Sequence, residues 1–328
     1  MTPRNGAFPL IVTTAVQALV SLISLAAPVM APAVAADTGL SAARVGVFVG
    51  VVYAGACVST LIAGDIVSRL GPIRASQMSL LLCAAGMAAA TQGSGPAILL
   101  AATLIGLGYG PVTPASSHIL AASTPPDRLA LTFSIKQTGV PLGGMLAGLC
   151  VPWMIHLAGW RGAGAVLAVL AVGLAALTQT IRAEFDAGRN PGHPISPRRV
   201  LLPLLKVFAV PAIRDIGLCS FFFGAMQLSL TSFLVLYLTQ VQGLSLALAG
   251  SILAVAQLCG VTGRLCWGWL ADRWVPARLL LGLLGLASAL LPRSSAPAPS
   301  AGTASSWPKS PALPRAARPA PPPAPACS

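Results

Sequence analysis

GDIVSRLGPIR, Gly64 to Arg74, and GWLADRWVPAR, Gly268 to Arg278, are two versions of one signature in one register. Gly64 aligns with Gly268, Arg69 with Arg273 and Arg74 with Arg278, each pair 204 residues apart, and each copy follows a long apolar segment. The chain therefore reads as two related halves. Duplicated bundles of membrane helices with the working site between the halves are a recurrent architecture.

Working outward from the two copies, composition agrees with a membrane setting. Of 328 residues, 55% are hydrophobic and 8% charged, and the mean hydropathy is +0.82. Water-soluble domains of this length do not have that profile, so the fold class expected is all-α and integral to the membrane. The net charge of +13 does not point to nucleic acid, because the basic residues sit at the ends of apolar segments rather than in a stripe with interleaved aromatics. The seven cysteines are scattered without a CxxC and suit packing rather than disulfides or zinc. There is no HExxH, no GxSxG and no paired intramembrane acid, so no enzyme, metal or cofactor is expected.

Apolar segments near 8–32, 45–64, 75–92, 96–120, 133–157, 162–181, 216–238 and 247–270 are each long enough to cross a hydrocarbon core of about 30 Å, giving eight full spans. The first resembles a cleavable signal up to Ala36, but its length and the many spans after it favour a retained helix. With a cytoplasmic amino terminus, the inner connections hold fourteen arginines and lysines, from Arg4 to Arg278, and the outer ones only Arg44 and Arg161. This positive-inside bias sets the orientation and predicts a multi-pass protein of a bacterial-type inner membrane. Residues 1–181 form a six-helix half, 182–215 a cytoplasmic central loop in which Val200 to Phe208 suits the membrane surface, and 216–291 an incomplete second half. Its third apolar stretch, Leu279 to Leu291, has 13 residues, about 20 Å of helix, too short to span. Residues 292–328 are rich in Pro, Ala and Ser. They read as a disordered tail, either out of frame past Leu291 or a true low-complexity end.

GxxxxRxGxxR resembles the cytoplasmic signature of the major facilitator superfamily, GxLADRxGRK. The first copy supplies Gly64, Arg69, Gly71 and Arg74, with Ser68 where the acid belongs; the second supplies Gly268, Asp272, Arg273 and Arg278, with Val275 in place of the second glycine. The resemblance implies an inverted-repeat helix bundle, here with eight full helices, a short ninth and the last three missing. It also implies a gating latch at the inner rim made by these arginines, or else arginines that only anchor the loop at phospholipid. SIKQTGVPLGGMLAG, Ser134 to Gly148, is similar to the superfamily's glycine- and proline-rich fifth helix. Gly139, Pro141, Gly143, Gly144 and Gly148 there serve close packing or a hinge, and Gly46, Gly50 and Ala54 repeat the small-residue spacing in the second span. The fourth-helix arginine of the superfamily is replaced by Ala102, and the GxGxG run from Gly106 to Gly110 lies inside an apolar span, so it is no dinucleotide fingerprint.

Polar groups inside spans are costly and mark functional candidates. On helices that line the cavity in the resembled family these are Gln17, Tyr109, Thr113, Gln227 and Thr231, with Tyr53, Gln137 and Gln257 behind them; each amide either contacts a solute or glues helices together. Lys136 attracts an anion near the inner mouth or reaches out to headgroups. His118 is a candidate for proton coupling. The function implied is secondary transport of a small polar or anionic organic solute by alternating access, by a monomer in membrane lipid, with a proton or counter-ion as possible co-solute and no nucleic-acid partner. With its second half cut short, the chain as given is expected to be a defective fragment. The rival reading is a non-transporting receptor or assembly partner.

Overall fold

The computed structural model describes residues 7–41, 44–125, 128–194 and 208–273, with Leu279, Gly282, Leu283, Gly285 and Leu286 beyond them. The described residues are helical throughout, with no strand among them. In chain order the helices are α1 (Ala7–Thr38), α2 (Val45–Leu70), α3 (Pro72–Ala90), α4 (Gly95–Tyr109), α5 (Val112–Ser123), α6 (Leu129–Gln137), α7 (Gly139–Thr178), the short α8 (Arg182–Phe185), α9 (Pro211–Gln240) and α10 (Leu246–Arg273). The chain divides into two compact units, Met1–Cys266 and Trp267–Ser328. The described part of the second is the end of α10 and the few residues from Leu279 to Leu286, and all that follows concerns the first.

Among the described residues seven helical stretches are long and apolar enough to cross a membrane: Phe8–Thr38, Val45–Leu70, Pro72–Ala90, Gly95–Ser123, Thr132–Phe185, Ile213–Gln240 and Leu246–Gly263. The sequence predicts eight. The difference arises where separate fifth and sixth spans were expected: there two helices meet across a kink at Gly159, in the AGWR turn, and together make one stretch. At 54 residues that stretch is about 80 Å long at 1.5 Å per residue, far more than a bilayer. It turns at Thr138 and again at Gln179–Ile181, and it is kinked at Gly159, whose φ of 70° and ψ of 174° lie where a side chain would be strained. The fourth stretch is interrupted between Tyr109 and Val112, where Pro111 removes a helix N–H donor. Residues 200–207, 274–278 and 292–328 lie outside the described residues, and with them most of the predicted surface segment, Arg278 and the tail.

Local signals set the helix ends. Gly71, at φ 93°, closes α2 and opens α3, with Pro72 at the first helical position, where its missing N–H costs nothing. Ser94 caps α4 by accepting from Ala97 N at 3.4 Å. Hydroxyls in the apolar spans bond back to their own helix, as Thr13 does to Pro9 O and Ser24 to Val20 O.

The core lies among α1, α2, α3, α4 and α7. Outside it the surface is apolar: Val169, Leu177, Phe221 and Phe222 are among many large side chains left exposed, which suits contact with lipid tails and not with water. Without a hydrophobic force between helices in lipid, close packing relies on small residues. Gly139 lies against Thr14 and Gln17 of α1, and Gly143 against the backbone of Ala18 and Leu22. Gly144 meets the Gln257 side chain of α10, and Gly148 meets Gly250 O. The four glycines thus serve two neighbours, one pair each. The expected row in α2 is different: a side chain at Gly50 would meet nothing, Gly46 faces the Phe233 ring, and the close approach to α4 is made by Gly55 opposite Gly106. The GxGxG run is a packing element, with Gly106 against Val52 O, Gly108 against Ser79 O and Gly110 against Ala56 O and Ser59.

Candidate functional site

Three polar side chains from three helices meet inside the helix bundle. Lys136, near the end of α6, is 1% exposed, and so is Gln17 in the middle of α1. Lys136 Nζ donates to Thr113 Oγ1 at 3.3 Å, and Thr113 Oγ1 donates to Gln17 Oε1 at 3.2 Å. Gln17 Nε2 is 3.5 Å from Ser21 Oγ, at the limit of a useful bond. Thr113 is exposed, so the row has two buried ends and an open middle. A lysine that sought headgroups would not be buried in this way. The direction of the α6 helix carries the ammonium inward to the face of α1.

The remaining candidates fall around this row or apart from it. Tyr53 and Tyr109 pair with ring centroids 5.9 Å apart at 52°, joining α2 to α4. Pro141, Gln227, Thr231 and Gln257 line a cavity of about 220 Å³ between α7, α9 and α10, smaller than the roughly 300–1,000 Å³ of drug-sized sites and suited to a compact solute. Within it Gln257 is buried and Gln227 exposed, while Thr231 Oγ1 is spent on its own helix, at Gln227 O, 3.0 Å. Gln137 is exposed on α6 and His118 exposed on α5. Ala102 is fully buried in the core.

At the Gly71 rim, Arg69 and Gly64 are exposed and Arg74 half-buried. What meets this turn is Asp186, just after α8. Its carboxylate accepts from Ile73 N at 2.8 Å and Arg74 N at 3.2 Å, capping α3 from outside its own segment. Gly71 has no room for a side chain because Asp186 occupies that space. Arg182 Nε stands 3.9 Å from the same carboxylate. Burial holds the Asp186 carboxyl above its ordinary range, against the opposing pull of those two N–H groups and of Arg182 and Arg74. Asn190 N donates to Ser68 O at 2.8 Å, and His193 Nε2 is 2.9 Å from Asp65 Oδ1. Sequence reasoning left Asp186 in a loop; the signal available was an acid beside Arg182 at the end of a span. In the second copy, Gly268, Asp272 and Arg273 lie in α10, but their side chains, like Arg278, are outside the described residues.

At the opposite rim Arg161 Nη1 and Trp160 Nε1 both donate to Asp37 Oδ2, at 2.6 and 3.1 Å. Beside them an apolar crevice of about 440 Å³, with Met30, Phe48, Met87 and Trp160 in its walls, opens between α1, α2, α3 and α4. Nothing in the sequence pattern marked it.

A multi-pass helical bundle with an apolar exterior and a polar row exposed at one residue in its interior defines a membrane carrier. The family follows from sequence: the model of the Major Facilitator Superfamily matches residues 12–307, and the chain belongs to that superfamily, whose members are transporters. It is 29% identical over 310 residues to the gallate transporter of Pseudomonas putida, covering 80% of this chain and 68% of that protein. It is 23% identical over 285 residues to the 4-hydroxybenzoate transporter PcaK of Acinetobacter baylyi, covering 77% and 62%. Among solved structures, a bacterial homologue of the human lysosomal transporter Spinster matches with a TM-score of 0.65 at 19% identity, over 82% of this chain and 62% of that one. The D-xylose–proton symporter matches at 0.59 and 17%, over 81% and 69%. The chain thus spans roughly two thirds of the length of these relatives.

Proposed function

We propose that the Gln17–Thr113–Lys136 row is the solute-binding site of a secondary transporter for small organic anions, with hydroxylated aromatic carboxylates the leading class, moved by alternating access. The observation that carries this reading is the buried Lys136 side chain, whose amine no carboxylate pairs with among the described residues and which an anionic solute would satisfy. The two sequence relatives, carriers of gallate and 4-hydroxybenzoate, support the aromatic class. The Tyr53–Tyr109 pair and the amide-lined cavity at Gln257 suit a ring and its hydroxyls.

In this reading the break at Gly159 divides α7 into two crossings, making eight, and the amino terminus is cytoplasmic in a bacterial-type inner membrane. Within the first unit, Gly64, Arg69, Gly71 and Arg74 serve as a cytoplasmic gate and the α7 glycines as its hinge; the second copy of the signature, Gly268, Asp272, Arg273 and Arg278, is assigned the same role from its sequence alone. Binding to the purified polypeptide tests this. Tyrosine and tryptophan fluorescence should respond saturably to 4-hydroxybenzoate; absence of saturable binding contradicts the site.

A further inference from the structure

The apolar crevice at the rim opposite Gly71 shares no residue with the Gln17–Thr113–Lys136 row, and its walls point to a different occupant. Its volume of about 440 Å³ falls within the roughly 300–1,000 Å³ of small-molecule sites. Phe48, Met30, Met87 and Trp160 are buried in its walls, while Val47 and Leu99, which border it, are 62% and 51% exposed on the apolar exterior. The crevice therefore opens sideways, where lipid tails lie, as well as toward the rim. Its α1 wall, from Ala27 to Val34, is about 10 Å long at about 1.5 Å per residue, less than one leaflet of a hydrocarbon core of about 30 Å. A space of this kind beside lipid takes in a tail, because apolar walls without neighbours forfeit their dispersion contacts.

Ser41 and Arg44, in the connection from α1 to α2, are the hydroxyl and the cation of the lining. The two arginines of this rim differ. Arg161 is committed: it donates to Asp37 Oδ2 at 2.6 Å and to Thr91 O at 3.1 Å, and its guanidinium lies 4.4 Å from the centre of the Trp160 ring. Asp37, the acid here, is taken by Arg161 and Trp160. Arg44 is exposed and meets no acid among the described residues, so the positive charge at the mouth is unbalanced. A hydroxylated aromatic solute suits these walls poorly, since polar partners stand only at the mouth. We propose that the crevice binds one anionic phospholipid of the surrounding leaflet, with an acyl chain between α1, α2, α3 and α4 and the headgroup phosphate on Arg44. A guanidinium matches phosphate bidentately, and the flexible Met30 and Met87 can repack around a chain. Tails are as apolar as the walls, so Arg44 sets the choice of head. A zwitterionic head would bring an ammonium to a rim whose described acid is already paired.

Native mass spectrometry of the full chain tests this, after release from nanodiscs of equal parts phosphatidylglycerol and phosphatidylcholine with identical acyl chains. The wild-type protein should keep one phosphatidylglycerol, preferred over phosphatidylcholine about 5-fold, the worth of one arginine beside a charged headgroup. R44Q, a change at an exposed position, should keep the two lipids equally. Ala31→Leu, which puts a larger side chain into the lining, should lower retention of both, whereas Leu177→Ala, on the exterior away from the crevice, should leave the wild-type pattern. Equal retention of the two lipids by the wild-type chain overturns the proposal, as does an undiminished preference in R44Q or full retention in Ala31→Leu. Displacement of the kept lipid by 4-hydroxybenzoate also overturns it, and would make the crevice a second place for the solute.

Discussion

α1 and α9 both carry polar residues in apolar settings, yet they end in different states. Of the most apolar window of α1, 61% is buried inside the protein; for α9 the figure is 17%. Gln17 on α1 is bonded to Thr113 and lies beside Ser21, whereas Gln227 on α9 is exposed and Thr231 bonds its own helix. An amide becomes part of a site only where neighbouring helices exclude lipid and water and supply partners. Around α1 the neighbouring helices do this, above all α7.

Substitutions can break or sharpen that contrast. The largest effect is expected for Gly143→Leu, whose side chain would run into Ala18 O and Leu22 N. Overpacking of this kind against backbone should cost about 3 kcal/mol, read as loss of thermal stability in detergent. Gly224→Ala on α9, where no atom lies within 4 Å, should change it by less than about 0.5 kcal/mol. Equal losses at the two sites would erase the distinction between the helices.

Asp186→Ala removes the acceptor of the Ile73 and Arg74 N–H groups and should cost about 1 kcal/mol, as other caps do. It should also speed amide exchange at the start of α3 before exchange rises elsewhere. Smaller again is Gln17→Leu, at about 0.6 kcal/mol, the usual worth of a polar contact between membrane helices; Gln227→Leu should be neutral within error of the same unfolding measurement. Smallest is Asp37→Asn at the opposite rim, whose exposed pair with Arg161 is screened by salt, so any loss of stability should vanish as ionic strength is raised.

Much of this organisation was legible in the chain. The apolar segments indicated a helical membrane protein, because span length follows directly from bilayer thickness. The glycine spacing from Gly139 to Gly148 indicated faces for close approach. Which neighbour each face meets was not legible: Gly144 and Gly148 pack against α10 and Gly139 and Gly143 against α1, a choice made by tertiary packing. The second-span spacing misled for the same reason, since Gly50 lies one position off the face that Gly55 and Ser59 present to α4. The Lys136 environment depended on helix rotation, which one residue fixes only with its neighbours in place. Asp186 was invisible because its partners are backbone N–H groups more than a hundred positions away in sequence, and no residue type announces those.

The central claim, that the row from Lys136 to Gln17 is where an anionic solute binds, is most directly tested at its exposed middle. In a version of the chain with its own cysteines replaced, Thr113→Cys should react with a maleimide, and benzoate should slow that reaction saturably while an uncharged sugar does not. Labelling at the same rate with and without benzoate would contradict the account.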